Sequence, residues 1–338
     1  MLRFLIQVSI GICIVSCSSR TTVKAPAGMI WVPAATFIQG AQENDMMAQP
    51  HEKPAHKVKV NGFFMDEREV TNARFREFVE ATSYTTVAER PVDWEELKQQ
   101  LPPGTPRPAD SLLLPGSLVF RKQLAEVQDH HNIWQWWEWK IGANWRHPAG
   151  PESDIFGKDN YPVVHIAYED AVAYCRWKGH RLPTEAEWER AAHGEKLLSV
   201  FTWGNDPTEL PAKANTWQGE FPTRNLASDG FAYAAPVGSF PPNSIGLYDM
   251  AGNVWEWTSD WYNHDYYYQV AGEEIPNPQG AKEAFNPLNP YQKEKIIKGG
   301  SFLCHESYCA SFRISARMAM AIDSGSDHLG FRTVKDAD

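Results

Sequence analysis

Positive charge is scarce in this chain: 32 Lys and Arg stand against 42 Asp and Glu, a formal net charge of −10. A nucleic-acid binder needs a basic footprint, so no nucleic-acid partner is expected. Acidity by itself says little beyond solubility. Long apolar runs are missing too. The one sizeable run, Phe4 to Val15, is broken by Gln7 and Ser9 and is too short to cross a bilayer. There is no internal repeat and no second composition regime, which makes one folded domain the economical reading. Cysteine is rare, five in 338 residues, so no dense disulfide framework replaces a core. The chain is instead rich in large flat side chains and turn-formers, with 14 Trp and 24 Pro. That composition points to a loop-rich fold built around aromatics.

The N-terminus is specific. Met1-Leu2-Arg3 precedes the apolar run, as in a secretory signal. The run ends in Ile14-Val15-Ser16-Cys17, which resembles the lipobox of bacterial lipoproteins, whose cysteine is lipidated and becomes the mature N-terminus. The alternative is an ordinary cleaved signal or a short anchor. Residues 1–17 are read as the signal with lipidation at Cys17, and 18–27 as a polar, turn-prone tether. Ser18 and Ser19 carry no Asp that would retain the protein at an inner membrane, so the expected location is the bacterial cell envelope, lipid-anchored at the outer membrane. Cys13 then leaves with the signal and Cys17 carries lipid. Cys175, Cys304 and Cys309 remain, an odd number that cannot pair completely within the chain.

The folded part, residues 28–335, opens on a strand-like Gly28 to Pro33. Val58-Lys59-Val60 and Phe63-Phe64-Met65 flank Asn61-Gly62, a hairpin signal. Phe75, Phe78 and Val79 place one apolar face on a helix. Residues 83–160 read as irregular, with an aromatic patch from Trp134 to Trp145 that lines a core or a groove. Pro162 to Ile166 reads as a strand, and Glu169 to Trp177 as a helix stopped by Gly179. Thr184-Glu185-Ala186-Glu187 is a capping box opening the helix of Trp188.

Several segments together resemble the formylglycine-generating enzymes, also called sulfatase-modifying factors. They are Asp66 to Asn72, Gly142-Ala143-Asn144-Trp145-Arg146-His147-Pro148, Arg181 to Glu189, Ala214 to Pro222, Gly246 to Trp257, and Gly299-Gly300-Ser301 through Cys304-His305-Glu306-Ser307-Tyr308-Cys309 to Leu329-Gly330-Phe331-Arg332. The resemblance implies an α+β fold of low regular secondary structure, related to C-type lectins.

Two cysteines five apart in an exported protein read, taken alone, as a disulfide, a metal pair or a redox switch. The resemblance implies that Cys304 and Cys309 bind Cu(I), for which thiolates are soft ligands. It further implies oxidation, by O2, of a cysteine in a Cys-X-Pro-X-Arg segment of a sulfatase polypeptide to Cα-formylglycine. Ser301 and Trp255 match positions that shape the oxygen pocket, and His305 and Tyr308 sit between the cysteines to orient them. Arg313 and Arg317 are candidates for substrate contact, with a structural ion pair as the favoured alternative. Asn215, Thr216, Asp229 and Phe231 match one Ca2+ site, and Asp249, Gly252, Val254 and Glu256 a second, by all-oxygen ligation. Thr333 stands where some relatives carry a cysteine, which leaves Cys175 as a buried free thiol. The competing function is a non-catalytic scaffold or binding lipoprotein of the same fold, like relatives in gliding and type IX secretion machinery; fold alone does not decide.

Overall fold

The computed structural model describes residues 25–122, 126–129 and 132–337. The signal, Cys17 and most of the tether lie outside the described residues. The domain has the expected mixed α+β character, with few helices and many short strands. Among the described residues no helix is long and apolar enough to cross a membrane.

Strand β4 (Phe63–Asp66) is the centre of an antiparallel sheet between β1 (Met29–Val32) and β14 (Val334–Asp336), joining the start of the domain to its end. A second sheet pairs β2 (Ala35–Gln39) antiparallel and β10 (Glu274–Pro276) parallel to β3 (His56–Val60). The largest sheet runs β12 (Met318–Ala321), β11 (Glu294–Lys298), β9 (Trp255–Trp261), β13 (Leu329–Gly330). Two hairpins complete the set: β5 (Gly116–Phe120) with β6 (Trp137–Ile141), and β7 (Gly219–Glu220) with β8 (Arg224–Asn225).

The structure corrects three readings. Asn61-Gly62 does not close a hairpin, because β3 and β4 belong to different sheets. In β3, buried and exposed residues alternate, whereas β4 is buried throughout, so the two strands fit different layers. Gly62 serves the crossing: a Cβ there would lie 2.4 Å from the Trp31 ring. Pro162 to Ile166 forms no strand; its apolar run reflects burial on all sides, and Pro162 makes only an isolated bridge to Thr71. Residues 83–160 are more ordered than periodicity indicated, because the β5–β6 hairpin spans a long connection and Trp136 and Trp137 pack inward.

The helices follow their sequence signals. Thr71 Oγ1 caps Asn72–Thr82 by accepting from Arg74 N, and Ser83 ends it in the left-handed region at φ 56°. Gly179, at φ 72°, ends Tyr168–Lys178. The capping box of Glu185–His193 is complete, with Glu187 N donating to Thr184 Oγ1 at 3.1 Å and Thr184 N to Glu187 Oε2 at 2.9 Å. Phe75 sits at the aromatic centre, 5.3 Å from Trp145 and 6.0 Å from Tyr174 between ring centroids. Truncating such a ring to Ala costs roughly 3–5 kcal/mol. Cys175 is a buried free cysteine in this core, its thiol pushed far up by burial.

Candidate functional site

Cys304 and Cys309 lie on a tight loop that follows β11. Gly300, at φ 74°, lets the loop close: a Cβ there would meet the Ser311 carbonyl carbon at 2.9 Å. Inside the loop Cys304 N donates to Ser301 O at 2.9 Å and Cys309 N to His305 O at 2.9 Å. The two cysteines are bonded to one another as a disulfide, with Cα atoms 5.3 Å apart. A thiolate metal site at this pair therefore requires its reduction.

The pair opens into a cavity of about 180 Å3 whose walls include Trp255, Ser301 and Tyr308. Trp255 heads β9, whose pairing to β11 and β13 fixes its place. Tyr308 stacks on Phe221 with centroids 4.2 Å apart. His305 is not part of this wall; its Nδ1 pairs with Ser307 Oγ at 2.8 Å on the outer side of the loop. In its stead the structure brings in His328, which the sequence reading missed although it directly precedes the Leu329 to Arg332 segment. Its Nδ1 lies 2.9 Å from Ser301 Oγ, which also accepts from Leu303 N at 3.2 Å. Burial, reinforced by His165, pushes the His328 imidazole down to about 3, so it stays neutral at physiological pH. Leu118, Trp134 and Trp137 from the β5–β6 region extend the wall, which gives the tryptophan patch its groove-lining role.

Arg313 and Arg317 have no route to a substrate. Both side chains are fully buried and paired: Arg313 with Asp45 at 2.5 Å and Glu52 at 2.7 Å, Arg317 with Glu185 at 2.8 Å. The favoured alternative, a structural ion pair, holds for each. Burial raises the demand for such partners, because an unpaired buried charge costs several kcal/mol.

The two oxygen-rich loops brace the cysteine loop. Trp217 N donates to Cys304 O at 3.0 Å, Phe302 N to Asn253 O at 2.9 Å, and Gly252 N to Gly299 O at 2.8 Å. Gly252 is required where these loops meet, since a Cβ would stand 2.2 Å from Asn215 O. In the first oxygen set, Asn215 Nδ2 is satisfied by Tyr233 O at 3.0 Å, while Asn215 Oδ1 is buried without a hydrogen-bond partner. Asp229 accepts from Thr216 N at 3.2 Å and Phe231 N at 3.0 Å, and burial raises its carboxyl. In the second, Asp249 accepts from Gly238 N at 2.6 Å and Glu69 from Asn253 Nδ2 at 2.8 Å, and both carboxyls are raised, chiefly by burial and then, for Glu69, by the charge of Asp249. Glu69 Oε2 is another buried oxygen with no partner, and Glu69 carried no sequence signal of a metal role. Glu256 is already engaged by Arg332 at 2.6 Å and by Trp188 Nε1 at 2.8 Å. Orphaned buried oxygens fit the donor set of a hard cation. Among the described residues no three His, Cys, Asp or Glu are grouped to hold a metal unaided, so such sites would need carbonyl and amide oxygens.

A loop-rich α+β domain with two cysteines at a surface-opening cavity defines the class by fold and site. The sulfatase-modifying factor enzyme 1-like domain matches residues 16–337, and the chain belongs to that family. It is 42% identical over 319 residues to the formylglycine-generating enzyme of Mus musculus, covering 91% of this chain and 75% of that protein. It is also 36% identical over 316 residues to the inactive C-alpha-formylglycine-generating enzyme 2 of Mus musculus, covering 91% and 86%. Among solved structures, PvdO from Pseudomonas aeruginosa aligns with a TM-score of 0.59 at 23% identity, over 91% of this chain and 94% of that one, which shows the shared fold.

Proposed function

We propose that the protein is a copper-dependent oxidase that converts a cysteine in a Cys-X-Pro-X-Arg segment of exported sulfatases to Cα-formylglycine. The observation that carries this reading is the pair Cys304 and Cys309 in one cavity with Ser301 and Trp255, within a chain of this family. When bound by the reduced pair, Cu(I) supplies soft coordination for the substrate sulfur and a place for O2 chemistry. Overall, the substrate Cβ–S bond breaks, sulfur leaves as sulfide and the carbon becomes an aldehyde. O2 accepts four electrons, two from the substrate and two from an external reductant, together with two protons.

The chain's own residues organise that reaction. Trp255 and Tyr308 wall the cavity beside the cysteines, while Ser301 presents a hydroxyl fixed by Leu303 N and His328. Asn215 and Asp229, with the carbonyls of Thr216 and Phe231, would hold one Ca2+. Asp249 and Glu256, with the carbonyls of Gly252 and Val254, would hold a second. Ions there would stiffen the loops that brace Cys304, since ligands that bind only the folded state stabilise it. Lipidation at Cys17, domain limits of 28–335 and an outer-membrane location complete the proposal.

The test is to incubate copper-loaded protein with a Cys-X-Pro-X-Arg peptide, O2 and a dithiol, then weigh the peptide. Formation of the aldehyde is expected. No aldehyde, with copper demonstrably bound, overturns the oxidase reading and leaves the non-catalytic lipoprotein. An inactive relative at 36% identity makes that second outcome a concrete one.

A further inference from the structure

The cavity at Cys304 and Cys309 has a second sulfur-bearing wall. Met318 and Met320, on the edge strand β12, line it together with the cysteines. Strand periodicity puts these two side chains on one face, with Ala319 between them turned the other way. The register on β11, Met318 opposite Ile297 and Met320 opposite Lys295, fixes that face. Arg317, immediately before Met318, is buried and held by Glu185, so the start of the strand is anchored. Met318 is 37% exposed and reachable from solvent, while Met320 packs against the core that contains Cys304.

We infer that Met318 and Met320 form a thioether site for Cu(I), continuous with the cysteine pair and deepening the copper reading on which it rests. Thioethers are soft donors of the kind that select Cu(I). They differ from the cysteines in one decisive respect: a thioether cannot be removed from service by forming a disulfide. In the disulfide form seen here, these are the cavity sulfurs still able to hold the ion. Reduction of the pair by a dithiol, itself oxidised to a disulfide, would return two thiols, and on losing their protons these would add two thiolate donors beside the thioethers.

The test uses the full folded domain and Cu(I) itself, titrated without oxygen against a chromophoric Cu(I) chelator. Four proteins are compared: wild type, M318L/M320L, C304S/C309S, and the quadruple variant. Leu matches Met closely in volume, so the fold is expected to survive, checked by circular dichroism. C304S/C309S is expected to bind one Cu(I), at least about a hundredfold more weakly than the reduced wild type, in which thiolates add to the thioethers. The quadruple variant is expected to bind none. X-ray absorption on C304S/C309S is expected to show sulfur scatterers that disappear in the quadruple variant. The inference falls if C304S/C309S binds no Cu(I), or if Leu at 318 and 320 leaves its binding unchanged. Wild-type turnover of the peptide is scored separately. Copper binding through the methionines without an aldehyde product would sink the oxidase reading and spare the thioether site; turnover with unchanged binding would do the reverse.

Discussion

Two regions share the segment from Cys309 to Met320, and they are built on opposite principles. Behind the cysteine loop, Arg313 meets Asp45 and Glu52, Arg317 meets Glu185, and Lys298 meets Glu189 at 2.8 Å. These charges are satisfied by one another and closed to solvent. In front, the cavity wall is neutral: two cysteines, two serines, a neutral imidazole, two methionines, and aromatic and aliphatic side chains. Three residues separate Cys309 from Arg313, and none separates Arg317 from Met318. The chain thus stitches a rigid ionic frame to a soft, charge-free cavity. The contrast assigns stability to one side and chemistry to the other, because buried ion pairs resist the removal of either partner whereas a neutral cavity can admit a ligand.

The strongest break of that contrast is at the cysteines. Cys304→Ser and Cys309→Ser are each expected to reduce peptide oxidation to background while leaving the urea midpoint, measured in reductant, nearly unchanged. Full activity in either variant would remove the two-thiolate site. The frame should answer in the opposite way. Arg313→Ala leaves Asp45 and Glu52 buried without a cation and is expected to cost roughly 3–5 kcal/mol of stability by urea titration. Below its own unfolding midpoint that variant should still bind Cu(I). A loss of copper binding with the stability intact would mean that the frame shapes the cavity directly.

The frame also carries a pH signature. Asp260 accepts from Glu185 N at 2.9 Å, and burial, then repulsion from Glu185, pushes its carboxyl up to about 7. An ordinary Asp in the unfolded chain titrates near 4. The folded state therefore holds a proton that the unfolded state has released between those two values. Its stabilising contribution is complete below about pH 4, falls as pH rises towards 7 and is gone above, a loss of order 2–4 kcal/mol. Asp260→Asn is expected to flatten the decline of the urea midpoint between pH 4 and pH 7. Identical slopes for the two proteins would show that Asp260 is not the titrating group.

How far the sequence foretold this depended on the range of the interaction. Local signals were legible: the Thr184 capping box, the Gly179 stop, and the apolar face of Phe75, Phe78 and Val79. What failed was pairing at a distance. Asn61-Gly62 has the local chemistry of a hairpin, and only the competing sheets decide that β3 and β4 part there. Pro162 to Ile166 looked like a strand because full burial and strand pairing leave the same apolar run. The cavity divided in the same way. Cys304, Cys309, Ser301 and Trp255 are legible through the resemblance. His305 and Tyr308 are both named for lying between the cysteines, and only Tyr308 lines the cavity, while His328, Met318 and Met320 lie outside that loop and meet the cysteines only in three dimensions.

The smallest effect falls on His328, and it sharpens the comparison within the cavity itself. Its Nδ1 to Ser301 Oγ contact of 2.9 Å is the polar link between the β13 end and the cysteine loop. A neutral hydrogen bond of this kind is worth about 1 kcal/mol net, so its loss should lower turnover by about five- to tenfold and leave Cu(I) affinity alone. His328→Phe keeps the ring volume but gives Ser301 no partner; His328→Asn restores one. If His328 positions the Ser301 hydroxyl, the Phe variant should show the drop, chiefly as a raised KM for O2, and the Asn variant should recover most of it. Because the imidazole is neutral well below pH 5, the wild-type rate should show no titration from this group between pH 6 and pH 9. Equal losses in the Phe and Asn variants would mean that the ring's packing against Trp137, with centroids 4.8 Å apart, matters and the hydrogen bond does not.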